Sequence, residues 1–279
     1  MKIAVASGKG GTGKTTIALA LAQAAGKDSW LFDCDVEEPN AHLFLQEEPS
    51  ETRKVTLPLP KALRENCTGC GKCVEVCRFH ALARLGKKIL VFPELCHSCG
   101  GCLLACGEKA LEETAFPIGE LRLTHSPHFH LASGVMDVGY SMAPFVIREL
   151  KKFADTLSAP YKIFDAPPGT SCSMVTAVRG CSHVLLVTEP TPFGLHDLIL
   201  ACETLKELQI PCSVILNRAG ENDPLIEDFC RKNAIPLRLK IPFSREIAKG
   251  YSEGKRLLDI EEGLREKFRA LLKALERGS

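Results

Sequence analysis

Ser7-Gly8-Lys9-Gly10-Gly11-Thr12-Gly13-Lys14-Thr15-Thr16 is the stretch whose reading decides the fold of this chain. Before it, Lys2-Ile3-Ala4-Val5-Ala6 is an apolar run of strand length. After it, Ile17-Ala18-Leu19-Ala20-Leu21-Ala22 is a run of helix-compatible residues. A strand, a glycine-rich turn and a helix start form the setting that a phosphate-binding loop requires. Gly8 and Gly13-Lys14-Thr15 satisfy the G-x-x-x-x-G-K-[ST] spacing. Glycines at 8, 10, 11 and 13 let backbone N–H groups turn inward onto phosphate oxygens, and the helix N-terminus adds partial positive charge. Thr12 and Thr16 complete the expected phosphate cradle. Lys14 is expected to reach the β- and γ-phosphates, and the Thr15 hydroxyl to ligate Mg²⁺.

The chain has 279 residues, enough for one large domain or two modest ones. Hydrophobic content of 45% and charged content of 25% are those of an ordinary globular protein. A net charge of +1 gives no strong field toward nucleic acid or a membrane surface, and neither is expected as a partner. No apolar run reaches membrane-spanning length. The N-terminus enters a strand directly, without a cleavable signal pattern, so a cytoplasmic location is expected. Fourteen cysteines in such a chain point to metal or redox chemistry where they cluster.

They do cluster. Cys67-x-x-Cys70-x-x-Cys73-x-x-x-Cys77 is repeated as Cys96-x-x-Cys99-x-x-Cys102-x-x-x-Cys106. Three thiolates on one tight loop can wrap a cuboidal iron–sulfur cluster while the fourth ligand comes from elsewhere. Zinc is the alternative, although zinc sites usually pair two C-x-x-C knuckles over a longer gap. Gly69, Gly71, Gly100 and Gly101 let the backbone approach the sulfur atoms. His97 reads as a surface or supporting residue, and Lys88–Phe92 as a short strand.

Carboxylates mark other strand ends. Ser29–Asp33 reads as a strand ending in Asp33-Cys34-Asp35, and Tyr161–Asp165 as another, followed by the stiff turn Ala166-Pro167-Pro168-Gly169. Ligands of open parallel sheets bind at such ends. Glu120–His125 alternates like an edge hairpin strand, and His128-Phe129-His130 reads as its continuation, with His128 and His130 on one face. Further expected elements are a helix over Ala143–Leu157, a strand over His183–Thr188, a helix over His196–Leu208, and strands over Cys212–Arg218 and Leu237–Ile241. Ile260–Arg277 reads as one amphipathic helix. Its acidic residues nearly match its basic ones, which favours docking on the core over lying on a membrane.

The phosphate loop closely resembles the K-G-G-x-G-K-[ST] loop of the MinD/ParA ATPases. That resemblance implies ATP or ADP with Mg²⁺ as ligands. It makes Lys9 the lysine that reaches a partner's phosphates in a nucleotide-sandwich dimer. Asp33 then supports Mg²⁺ through its water shell, Asp35 orients the attacking water, and Asp165 holds Mg²⁺ through water. Gly169 offers its N–H to the γ-phosphate. Asn217 reads the adenine edge, with Pro242 and Phe243 wrapping the base. Lys9, Lys14, Asp35 and Asp165 are thus the expected catalytic set.

The cysteine repeat resembles two-[4Fe–4S] bacterial ferredoxins, in which the fourth cysteine of each run ligates the other cluster. The resemblance implies one cluster on Cys67, Cys70, Cys73 and Cys106, and another on Cys96, Cys99, Cys102 and Cys77. The proline usual after the last cysteine is replaced by Arg78 and Gly107. Together the two resemblances imply a mostly parallel α/β sheet with helices on both faces, built from residues 1–57 and 113–279. An inserted α+β ferredoxin-like domain spans 58–112. The expected activity is ATP hydrolysis coupled to electron transfer through the clusters. An iron–sulfur cluster or metal carrier, and a positioning or partner-binding switch with structural or sensory clusters, remain as alternatives. An ATP-dependent homodimer, or a heterodimer with a related ATPase, and a redox or cluster-accepting protein are the expected partners. The six remaining cysteines contain no C-x-x-C, against direct kinship with the ATP-dependent cluster scaffolds.

Overall fold

The computed structural model describes residues 1–63, 65–140 and 142–277. Its strands are β1 (Lys2–Ala6), β2 (Trp30–Asp33), β3 (Glu51–Ala62), β4 (Leu82–Leu85), β5 (Lys88–Val91), β6 (Leu111–His125), β7 (His130–Met136), β8 (Lys162–Asp165), β9 (His183–Thr188), β10 (Cys212–Ala219) and β11 (Leu237–Pro242). Its helices are α1 (Lys14–Ala25), α2 (Lys72–Glu75), α3 (Gly101–Ala105), α4 (Ala143–Thr156), α5 (Cys172–Val178), α6 (Pro192–Glu207), α7 (Pro224–Lys232), α8 (Arg245–Ser252), α9 (Leu257–Ile260) and α10 (Leu264–Arg277).

Nine strands form one sheet in the order β11-β10-β9-β1-β8-β2-β7-β6-β3. The run from β11 to β7 is parallel throughout, and β6 and β3 add antiparallel pairs at one edge. The mostly parallel α/β sheet is therefore as expected. Side chains alternate across it, since successive strand residues point to opposite faces. Ala4, Phe32 and Phe164 enter one apolar cluster, under α4, α5, α6 and α7. Ile3, Leu31 and Ile163 enter the other, under α1, α9 and α10. Helix α1 is apolar nearly all round because it lies between the sheet and α10.

Four expectations change. Helix α6 begins at Pro192, not at His196, because Thr191 caps it and accepts the Gly194 N–H at 2.9 Å. The C-terminal amphipathic helix begins at Leu264, not at Ile260, which instead ends α9; the chain turns between them, where the Leu264 N–H donates to Glu261 O. Its apolar face, with Leu264, Phe268, Leu271 and Leu272, is buried against the core as read. His128 and His130 do not continue β6. The chain turns after His125, held by the Ser126 hydroxyl donating to Phe129 O at 2.8 Å, and β7 runs back. His125 and His130 become a cross-strand pair with their Nδ1 atoms 2.9 Å apart. Nor is β6 an edge strand.

That edge belongs to β3, which sequence reading missed. β3 and β6 form a long antiparallel ribbon, from Glu51 opposite Leu123 to Ala62 opposite Leu111. The ribbon runs unbroken through 57/58 and 112/113, the borders expected for the insert. At its far end lie α2, α3 and the β4–β5 hairpin, with the cysteine runs. No helix of the described residues is long and apolar enough to cross a membrane.

Candidate functional site

Strands β1, β8 and β2 are neighbours, so the loops leaving their C-terminal ends meet. In the loop after β1, Gly11 (φ +80°) and Gly13 (φ +85°) occupy left-handed backbone that a side chain would strain. Gly8 is required for another reason: a Cβ there would strike the backbone carbonyl of Asp197 on α6. The loop is thereby pressed between α6 and the start of α1.

Lys14 lies buried at the start of α1, and its Nζ donates to Asp165 Oδ1 at 2.8 Å. Burial pulls the ammonium down, but the charges of Asp165, Asp33 and Asp35 outweigh it and leave the Lys14 pKa raised. Asp33 Oδ1 accepts the Asp35 N–H at 3.2 Å, and its Oδ2 accepts the Asn40 and Ala41 N–H groups, each at 3.0 Å. It thus ties down the loop from Asp35 to Ala41. Burial, with the Asp165 charge next, pushes Asp33 up to about 7. Burial likewise raises half-buried Asp35. Three carboxylates share one ammonium, and buried Asp165 Oδ2 has no hydrogen-bond partner. That partnerless carboxylate oxygen, beside the phosphate loop, is a donor of the kind a divalent cation takes.

The Gly169 N–H donates to Ser7 O at 3.0 Å. The group expected to face a γ-phosphate is here spent on the phosphate loop, because the Pro167-Pro168-Gly169 turn folds back onto the end of β1. Lys9 is half-exposed, and its side chain has no ion pair among the described residues. Asn217 Nδ2 donates to Thr12 O at 2.8 Å, which brings the end of β10 against the loop. A cavity of about 320 Å³ opens there, lined by Gly11, Gly13, Thr16, Asn217, Pro242 and Phe243. The structure therefore gathers the loop, the three aspartates and the expected base-binding residues at one edge of the sheet. Sequence reading missed Arg218 and Tyr251, which also line the cavity. Arg218 sits at φ +53° and donates to Glu189 at 3.1 Å. Its place directly after Asn217 was the available signal; Tyr251 on α8 offered none.

At the far end of the ribbon, Cys67, Cys70, Cys73 and Cys106 line one cavity, and Cys77, Cys96, Cys99 and Cys102 line a second. The last cysteine of each run stands with the first three of the other. Backbone N–H groups aim at the sulfurs: Ala81 to Cys77 at 3.4 Å, Ser98 to Cys96 at 3.5 Å and Ala110 to Cys106 at 3.2 Å. Burial raises the thiols of Cys73 and Cys96, and pushes Cys102 up to about 11. His97 stacks on Phe79, with centroids 3.8 Å apart, and both rings line the second cavity beside its four cysteines. Among the described residues, no group of three or more histidine, cysteine or acidic side chains is gathered so as to hold a metal ion.

The uncharacterized protein MJ0579 of Methanocaldococcus jannaschii is 30% identical over 265 residues, spanning 94% of this chain and 93% of that protein. MJ0578 of the same organism is 29% identical over 244 residues, spanning 87% and 86%. The solved cell division ATPase MinD of Pyrococcus furiosus superposes with a TM-score of 0.60 at 21% identity, covering 100% of this chain and 99% of that one. A variant of Cyanothece McdA in complex with ATP superposes at 0.59, with 18% identity and coverage of 99% and 96%. These structural likenesses show the fold. The model of the CobQ/CobB/MinD/ParA nucleotide binding domain (CbiA) matches residues 3–258, and the chain belongs to that family.

Proposed function

We propose that this chain binds and hydrolyses Mg-ATP and couples it to electron transfer through two [4Fe–4S] clusters. One observation carries the iron–sulfur part: the eight repeat cysteines fall into two sets of four, with the fourth thiol of each run exchanged. That exchange is the ligation pattern of two-cluster ferredoxins. The bound clusters would supply one-electron redox chemistry. The chain's part is to present the thiolates and to aim the N–H groups of Ala81, Ser98 and Ala110 at the sulfurs, which tunes potential. In this reading residues 58–112 form the insert and residues 1–57 with 113–279 the ATPase.

For the nucleotide, Pyrococcus horikoshii MinD was solved with Mg-ADP and the McdA variant with ATP. Here Lys14 would exchange Asp165 for the β- and γ-phosphates. Thr15 and Asp165, the latter through its partnerless Oδ2, would face Mg²⁺. Asp35 would orient the attacking water, and Asp33 would hold the loop that carries it. Lys9 would act across a homodimer or a heterodimer with a related ATPase. Asn217, Pro242 and Phe243 would hold the base.

Metal and sulfide analysis of anaerobically prepared protein tests the first half: about eight iron atoms per chain are expected, and stoichiometric zinc would end the reading. Asp35→Ala tests the second: ATP should stay bound while hydrolysis slows, and hydrolysis at the parent rate would remove the role assigned to Asp35. A carrier function is the second reading, favoured by the exposure of Cys70 and Cys99. Transfer of iron to an apo-acceptor, without reversible reduction in place, would select it.

A further inference from the structure

The cysteine-bearing end of the molecule has a groove that neither the nucleotide nor the thiol sets use. It opens between the β3–β6 ribbon and β5, with a volume of about 400 Å³. Leu59, Pro60, Ile89 and Phe116 line it with apolar surface, and Lys61, Lys87 and Lys88 line it with charge. Lys61 is offset by Glu112 at 3.4 Å. Lys87 and Lys88 are exposed and have no ion pair among the described residues. Leu90, which also lines the groove, is 44% exposed. Residues 58–112 hold eight lysines and arginines against five glutamates, while the whole chain carries only +1. Cys67 lines this groove and also the cavity it shares with Cys70, Cys73 and Cys106. Whatever fills the groove therefore lies against one thiol of that set.

We propose that the groove docks an acidic redox protein, whose carboxylates meet Lys87 and Lys88 and whose apolar contact covers Leu90. The purpose of the contact rests on the iron–sulfur reading; the surface itself does not. Charge selects the occupant. An apolar lining alone accepts any apolar segment, whereas unpaired lysines beside it repel basic surfaces and steer acidic ones. The apolar lining and Leu90 in turn favour a protein over a bare nucleic-acid backbone, which gains little from apolar area. On the iron–sulfur reading, a cluster on Cys67, Cys70, Cys73 and Cys106, once reduced by an external low-potential electron donor, would supply one electron at this contact to the docked protein's one-electron acceptor. No bond in this chain forms or breaks, and any proton taken up by that acceptor comes from solvent.

The test uses the anaerobically prepared full chain and an acidic flavodoxin, with association measured at low and at high salt. Binding should weaken roughly tenfold on the double charge reversal Lys87→Glu/Lys88→Glu, and by a similar factor across the salt range. Leu90→Asp should weaken it as well. Reduction of a small viologen dye by the variants should match the parent, which shows the thiol sets intact. Equal flavodoxin binding by parent and charge-reversed chains overturns the proposal, as does tighter binding of a single-stranded DNA oligomer than of flavodoxin. Iron analysis keeps the two readings apart. An anaerobically prepared chain that carries stoichiometric zinc and still binds flavodoxin through Lys87 and Lys88 supports the docking face and sinks the electron-transfer reading.

Discussion

The two ends of this molecule are held together by different physics. Around the parallel sheet, two large apolar clusters bury Phe32, Phe164 and Phe268 completely. The cysteine-bearing end adds one small cluster of its own, whose buried members are Cys73, Leu82, Cys102 and Leu111, while Ala81 and Cys96 join the larger cluster through the ribbon. Half of those are thiols. A region with so little apolar burial does not overcome its chain entropy by packing alone and needs a staple. The sheet can fold by burial; on the iron–sulfur reading proposed above, the far end leans on the clusters its thiols would hold.

Removing that staple gives the largest expected effect. On the iron–sulfur reading, chelation of iron under reducing conditions, or Cys102→Ser, should abolish amide-exchange protection across residues 67–106 and leave β1 and β8 protected. Equal loss in both regions, or in neither, would break the contrast. Phe164→Ala should do the reverse. It should destabilise the sheet by about 3–5 kcal/mol in denaturant unfolding, while visible absorption from the cysteine end persists until the sheet melts. Lys14→Ala should lower nucleotide affinity by about a hundredfold, or ~2.7 kcal/mol, because the phosphates lose their buried cation; iron content should not change. The smallest effect is on pH dependence. Burial, with the Arg238 charge adding to it, holds the His183 imidazole down to about 4, and its Nε2 meets the Ser213 hydroxyl at 2.8 Å. The unfolded chain protonates this residue near 6.5. As pH falls from about 6.5 to about 4, the unfolded state takes up the proton first, so the sheet loses stability through that window. His183→Gln should flatten that limb of the stability curve and leave the cysteine end unaffected.

The nucleotide end was largely legible because its signals are local. A phosphate loop is one contiguous run, and a carboxylate at a strand end needs no long-range information. What escaped was long-range or edge-dependent. β3 opens with charged Glu51, Arg53 and Lys54 and contains Pro58 and Pro60, which argues against an interior strand. An edge strand tolerates proline because one row of its N–H groups has no partner to lose. The Gly169 N–H could be assigned to a phosphate from sequence, yet its bond to Ser7 joins residues that only the fold brings together. Helix α6 carried its own start signal, Thr191-Pro192, which the apolar pattern alone placed four residues late.

The β3–β6 ribbon has a mechanical consequence. β7 covers β6 only from Gly119 onward, so the stretch Thr56–Ala62 projects from the sheet, seven residues at about 3.3 Å each, an arm of roughly 23 Å. Both strands are hydrogen-bonded along it, so there is no single-bond swivel between the sheet and the cysteine end, and the arm resists bending as a beam does. Its one irregularity lies where Val55 and Thr56 face Gly119 and Pro117, leaving Ile118 as the extra residue. There Ile118 O accepts the Asp137 N–H at 2.9 Å, and the neighbouring Met136 N–H donates to Val36 O, in the loop that Asp33 holds, at 2.8 Å. A bulge increases local twist. The loop after β2 is therefore bonded to the ribbon at the one place where its twist is set, so a shift of that loop re-aims the arm about its own axis.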